Sequence, residues 1–168
     1  DFFFFIILRR PYLLIFTLWF LIVLALYGMK ILNKKRTKQC LFFFIPWHHN
    51  IEKPVDKFWS KNANKIQNWY TTQKKDDDII ISASLNFIIK PAIEMLNIKN
   101  WIATNFNTQN GKIYGENCYG EAKAVEFQRL YPKTTLDAFY SDSYSDKPMF
   151  DLSKEAYLVE GEKLTKIK

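Results

Sequence analysis

Cysteine and histidine are nearly missing from this chain, with two of each in 168 residues. Cys40 and Cys118 lie far apart with no metal-type spacing. That excludes a disulfide framework or a zinc module and reads as reduced thiols of a cytoplasmic protein. His48 and His49 are neighbours in "PWHHN", and adjacent side chains do not easily share one metal, so they read as loop residues. Acidic residues are scarce in the first half. Residues 1–75 hold 13 Lys and Arg against 3 acids, a net of +10, whereas residues 76–168 hold 11 against 14, a net of −3. A basic half can mark a nucleic-acid binder, but no recognition motif accompanies it, and nucleic acid is excluded as a partner. The basic half is also the more apolar one, and its charges flank apolar runs. That pairing suits a membrane surface better than a phosphate backbone. No internal repeat is present.

What the chain does have is apolar mass: 48% hydrophobic and 17% aromatic residues exclude disorder. The first half reads as helices. "DFFFFIILRR" is a short apolar helix stopped by Pro11. "YLLIFTLWFLIVLALYGM", residues 12–29, carries no charge. "KILNKKRTKQC" reads as a basic connector to "LFFFI" and a break at Pro46. A last helix is expected over residues 55–73, with Phe58, Trp59, Ile66, Trp69 and Tyr70 on one side.

The period changes after "KKDDD". "IIIS" at 79–82 reads as a buried strand and "LNFIIKPAIEMLN" as a helix around Pro91. "WIAT" is a second strand, and Asn110-Gly111 signals a β-hairpin within about 105–118. "EAKAVEFQRLY" is helical, "LDAFYS" is a third strand, "KPMFDLSKEA" reads as a further helix, and "AYLVEGEKLTKIK" as a strand and hairpin. Alternating strands and helices predict an α/β fold with a mostly parallel sheet.

In such sheets ligands sit beyond the carboxyl ends of the strands, and three polar signals fall there. Ser82 closes the first strand, Lys123 lies early in a helix, and Asp142 and Asp146 follow the third strand in "FYSDSYSD". Each has a structural alternative. Ser82 can cap the next helix, Lys123 can sit on a solvated face, and Asp142 or Ser143 can cap a turn. Ser84 and Asn86 read as helix caps.

Taken in order, "DIIISAS", "GEAKAVEF" and "FYSDSYSD" resemble the second, third and fourth motifs of the haloacid dehalogenase superfamily of phosphohydrolases. The hairpin before the lysine, "GKIYGENCYGEAK", is similar to that of the phosphoserine-phosphatase-like branch (subclass IB). The resemblance implies a Rossmann-like core over residues 75–168 and an all-helical cap over residues 1–74. It implies a Mg²⁺-dependent phosphomonoesterase acting on a small phosphorylated substrate through an aspartyl-phosphate. Asp142 is then the metal ligand. Ser82 holds a phosphoryl oxygen, Lys123 offsets charge, and Asp146 orients Lys123 or a metal-bound water. The family's first motif, Asp-x-Asp, has no counterpart here: Asp1 is followed by "FFFF". The expectation is a sequence that starts after the nucleophile strand, inactive as it stands, with that strand missing from the sheet. The rival is a non-catalytic, membrane-associated protein that keeps the scaffold without the nucleophile.

Eighteen uncharged residues are just long enough to span a bilayer. A single span, however, would separate an upstream nucleophile from Ser82, Lys123 and Asp142, and "LFFFI" is too short to cross back. Two destinations remain open: cap core, or an apolar face at the inner surface of the membrane. The second predicts an exposed patch including several of Leu14, Phe16, Trp19, Leu21 and Leu24, with Lys34, Lys35 and Arg36 at the headgroups.

Overall fold

The computed structural model describes residues 2–9, 15–48 and 50–168. Asp1, Arg10, Pro11, Leu14 and His49 lie outside the described residues. Helices come first: α1 (Phe2–Arg9), α2 (Thr17–Gly28), α3 (Lys34–Leu41), α4 (Glu52–Asn62) and α5 (Asn68–Gln73). An α/β region follows: β1 (Ile79–Leu85), α6 (Asn86–Met95), β2 (Asn100–Asn107), β3 (Lys112–Tyr114), α7 (Glu121–Leu130), β4 (Leu136–Ser141), α8 (Lys147–Leu152), β5 (Ser153–Glu160) and β6 (Lys163–Lys166). Pro91 sits inside α6, and the Asn110-Gly111 hairpin joins β2 to β3 in antiparallel register.

Three elements differ from expectation. The basic connector is a helix, α3. It has no apolar stripe to betray it, but Asn33 is extended and its side chain accepts a hydrogen bond from the Arg36 amide at 2.9 Å, capping the first turn. The helix expected over 55–73 divides into α4 and α5. Asn62 Nδ2 donates to the Phe58 carbonyl at 2.7 Å, competing with the backbone, and Ile66 and Gln67 are extended. The helix after β4 stops at Leu152, because from Ser153 the backbone pairs with β4: Leu136 opposite Ser153, Phe139 opposite Ala156, Ser141 opposite Leu158. Tertiary pairing overrides the helical propensity of "SKEA".

Two three-stranded sheets result, in the orders β1-β2-β3 and β4-β5-β6. β1 is parallel to β2 and β4 is parallel to β5, so β1 and β4 are each outer strands of a parallel pair. Parallel strands ordinarily lie inside a sheet. The aliphatic run Ile79–Ile81 of β1 is accordingly only half-buried. Both sheets nonetheless back onto one core. Ile79 and Ile81 of β1, Ile102 of β2 and Phe139 of β4 meet Phe127 of α7 and Met149 of α8.

The second core is aromatic and belongs mostly to the helices. Phe2, Ile6, Phe20, Phe44, Val55 and Phe58 pack with edge-on rings, as in Phe2–Phe58 at 5.5 Å and 87°. Leu85, Phe106 and Ile113, at the ends of β1, β2 and β3, enter the same cluster and seat the helical layer on the sheet.

α2 is covered only in part. Phe20 and Val23 are buried, while Leu18 and Leu21 are 68% and 64% exposed and Trp19, Ile22 and Leu24 also face outward. Phe16 is half-buried. Of the expected headgroup cations, only Arg36 is exposed; Lys34 and Lys35 turn toward the α/β region instead, to Tyr119 and Glu116. Among the described residues no helix is long and apolar enough to cross a membrane.

Because α3 starts on a single side-chain cap, Asn33→Ala should cost about 1 kcal/mol in urea unfolding, whereas Asn33→Asp, which keeps an acceptor, should cost little.

Candidate active site

The carboxyl end of β1 departs from regular pairing. Ser82 lies opposite Ala103, but the next paired residues are Leu85 and Thr104, so Ala83 and Ser84 form a bulge. A bulge re-aims side chains and frees backbone groups. The Ala83 carbonyl, freed this way, accepts from Thr104 Oγ1 at 2.9 Å and from the Lys38 ammonium of α3. Ser82 Oγ accepts from the Ser84 amide at 3.1 Å. Asn86 does not cap α6; its Oδ1 accepts from the Phe87 and Phe106 amides at 2.9 and 3.1 Å, tying the helix start to β2.

The end of β4 holds the most tightly built polar cluster. Asp146 is buried, and its Oδ2 accepts from Lys123 Nζ at 2.5 Å and from Ser141 Oγ at 2.7 Å. Ser141 is the last residue of β4 and Lys123 stands in the first turn of α7, so the carboxylate clamps a strand end to a helix start. Gly120 turns the chain into α7 through a backbone conformation that L side chains rarely adopt. It sits at φ +57, and a Cβ there would lie 3.4 Å from the Ser145 carbonyl. Between Ser141 and Asp146 the loop is held by Ser143, whose Oγ accepts from the Ser145 amide at 3.2 Å. Ser143 is therefore the turn's cap, and Asp142 is left exposed, with no hydrogen bond or ion pair among the described residues.

Of the four candidate residues, Lys123 and Asp146 are in direct contact. Ser82 does not close β1 but is its fourth of seven residues, the last before the bulge, and Asp142 directly follows β4; among the described residues no hydrogen bond or ion pair joins either of them to the other or to that pair. Between them runs the segment 117–120. Cys118 is buried, its amide donates to Thr104 Oγ1 at 3.1 Å, and burial pushes its thiol up to about 11, against the pull of Lys123 and Lys38. Burial pushes the Lys38 ammonium down to about 8. Ser141 and Lys38 escaped sequence reading. A serine ending a strand and a lysine within a basic run carry no signal of their own.

Among the described residues no three His, Cys, Asp or Glu side chains gather into a metal cage. The donor this chain does offer, an unpaired carboxylate at a strand end, fits Mg²⁺, which takes one or two carboxylates and keeps waters and phosphate oxygens as its other ligands. His48 packs against Phe44, at 6.0 Å between rings. The concavities by the hairpin tip, lined by residues such as Pro46, Asn86, Asn105 and Thr108, include none of Ser82, Lys123, Asp142 or Asp146.

Comparison with known proteins gives the family and the fold. The family model described as haloacid dehalogenase-like hydrolase matches residues 46–151. The chain is 35% identical over 91 residues to the "Probable phosphatase Rv3661" of Mycobacterium tuberculosis (strain ATCC 25618 / H37Rv) and, at the same identity and length, to the "Uncharacterized protein MT3761" of strain CDC 1551 / Oshkosh. Those matches take in 49% of this chain and 31% of each relative, so the chain spans under a third of their length. A crystal structure of a protein of unknown function from Bordetella pertussis Tohama I superposes with a TM-score of 0.67. It covers 80% of this chain and 69% of the other at 17% identity, and shows the shared fold.

The two carboxylates should separate cleanly in stability. Asp146→Asn strands the buried Lys123 ammonium and should cost about 3–5 kcal/mol; Asp142→Asn, on an exposed and unpaired group, should stay within about 0.5 kcal/mol. Chemical unfolding of both variants measures the difference.

Proposed function

Because the chain belongs to the haloacid dehalogenase-like hydrolases, we propose that it forms the phosphate- and metal-binding part of a Mg²⁺-dependent phosphomonoesterase of the phosphoserine-phosphatase-like branch. The observation that carries this reading is the buried Lys123–Asp146–Ser141 cluster beside the free Asp142, at the carboxyl end of a parallel strand. A site for a phosphoryl group needs fixed positive charge and hydrogen-bond donors more than covalent help. Lys123 supplies the charge. Asp146, itself held by the Ser141 hydroxyl, keeps the ammonium in place, so that little reorganisation is needed when a phosphate arrives. Ser82 Oγ donates a hydrogen bond to a phosphoryl oxygen. Asp142 would hold Mg²⁺, which when bound would neutralise charge on the phosphoryl oxygens.

The attacking aspartate is absent from these 168 residues. The reading assigns it to a strand seated between the open edges of β1 and β4, where its carboxylate would face Ser82 on one side and Lys123 on the other. Attack would break the bond to the leaving oxygen and form an aspartyl-phosphate, which water then hydrolyses. Residues 1–74 would serve as the cap over this edge, and a small phosphomonoester would be the substrate.

The exposed face of α2 supports a second reading, contact with a membrane surface, whether or not the protein turns over substrate. Leu18, Leu21, Ile22 and Leu24 would bury apolar area worth roughly 1.5–3 kcal/mol per side chain, with Arg36 nearby to meet anionic headgroups. Wild-type protein should sediment with anionic phosphatidylserine vesicles at low salt, and Leu18→Glu with Leu21→Glu should abolish it. Failure of the wild type to sediment removes this reading and leaves the hydrolase untouched.

For the enzyme, the test is Asp142→Asn in the protein carrying its nucleophile strand. Hydrolysis of p-nitrophenyl phosphate should fall by two orders of magnitude or more and lose most of its Mg²⁺ dependence. Turnover like wild type would overturn the metal assignment.

A further inference from the structure

The two lysines at this edge are not in the same electrostatic state. Lys123 is paired with a full counter-charge, the Asp146 carboxylate. Lys38 comes from the helical layer, on α3, and reaches the bulge one residue beyond Ser82. Its ammonium donates to two neutral oxygens, the Ala83 carbonyl and Asn117 Oδ1, the latter at 2.5 Å. Among the described residues no acid pairs with it. The groups around it are the Lys34 ammonium on the same helix, Thr104 and Asn117 beneath it, and the Cys118 thiol, protonated at neutral pH.

A half-buried cation held only by dipoles is a costly arrangement, since burial removes its water and nothing returns a full opposite charge. Its neighbours on α3 show the contrast. Lys34 lies 3.0 Å from the centre of the Tyr119 ring and Lys35 sits 3.5 Å from Glu116 at the surface. Those two contacts also lay α3 on the 116–119 segment, so Lys38 is not the helix's sole tie to it. The bulge opens Ala83 toward Lys38, and the same bulge presents Ser82.

We propose that Lys38 binds an oxyanion of the substrate, so that α3 contributes the site's uncompensated positive charge at the carboxyl end of β1. This rests on the phosphomonoesterase reading and extends it to a residue of the helical layer. The oxyanion is either the phosphoryl group itself or a carboxylate beside it, and both present the same charge and acceptors to an ammonium. On arrival it would replace one of the two neutral acceptors and supply the missing counter-charge. Anionic substrate would thereby hold α3 against β1.

The test uses the full-length protein and its Lys38→Met and Lys38→Arg variants, with inorganic phosphate and phosphoserine as probes. Calorimetry should show Lys38→Met weakening at least one probe on the order of tenfold, with Lys38→Arg recovering part of it. Weakening of both assigns Lys38 to the phosphoryl group; weakening of phosphoserine alone assigns it to the carboxylate. The melting temperature without ligand separates this from a structural role. A lysine that merely props up the fold would leave Lys38→Met less stable, whereas removal of an unpaired buried charge leaves it equal or higher. Equal binding of both probes by wild type and Lys38→Met, or a lower melting temperature in the variant with no loss of binding, overturns the proposal. Wild type that binds neither probe overturns the phosphomonoesterase reading itself.

Discussion

The contact between Lys123 and Asp146 joins what the backbone leaves apart. Among the described residues β1, β2 and β3 share no strand pairing with β4, β5 and β6, and the two halves meet through side chains, among them the shared apolar core beneath and this ion pair at the carboxyl edge. A charge pair this deep gives little net stability relative to an apolar substitute, but removing one partner is severe. Its use is therefore geometric. It holds the first turn of α7 against the end of β4. Ser141 adds a second donor to the same carboxylate oxygen. Preorganisation of this kind is what electrostatic catalysis on a phosphoryl group requires.

The helical layer is not a separate body resting on that edge. Leu85, Phe106 and Ile113 place the ends of three strands inside its aromatic core. Leu85, the residue after the bulge, is thus fixed from the helical side, while Ser82, three positions earlier, is half-buried. α3 completes the arrangement by crossing the 116–119 segment, whose backbone leads directly into the helix that carries Lys123.

The parts legible in the sequence were those governed by local chemistry. "IIIS", "WIAT" and "LDAFYS" form strands because β-branched and aromatic runs suit a buried pleat, and Asn110-Gly111 turns the hairpin as such pairs do. The ordered signals at Ser82, Lys123 and Asp142–Asp146 pointed to a family that half the chain and more then matched. What escaped was set at long range or by a single cap. α3 is rich in basic residues and carries no long apolar stripe, so Asn33 is its clearest mark. The strand from Ser153 exists because β4 is beside it, which a helical tetrapeptide cannot reveal. Lys38 and Ser141 acquire meaning only from Ala83 and Asp146, 45 and 5 residues away.

The central claim is that the open edges of β1 and β4 flank one phosphate site. A crystal structure of the full-length protein grown with Mg²⁺ and inorganic phosphate tests it most directly. It should show a further parallel strand paired to both β1 and β4, with the phosphate accepting hydrogen bonds from Ser82 Oγ and Lys123 Nζ together. If β1 and β4 pair with each other instead, or the phosphate binds away from both side chains, the account is wrong.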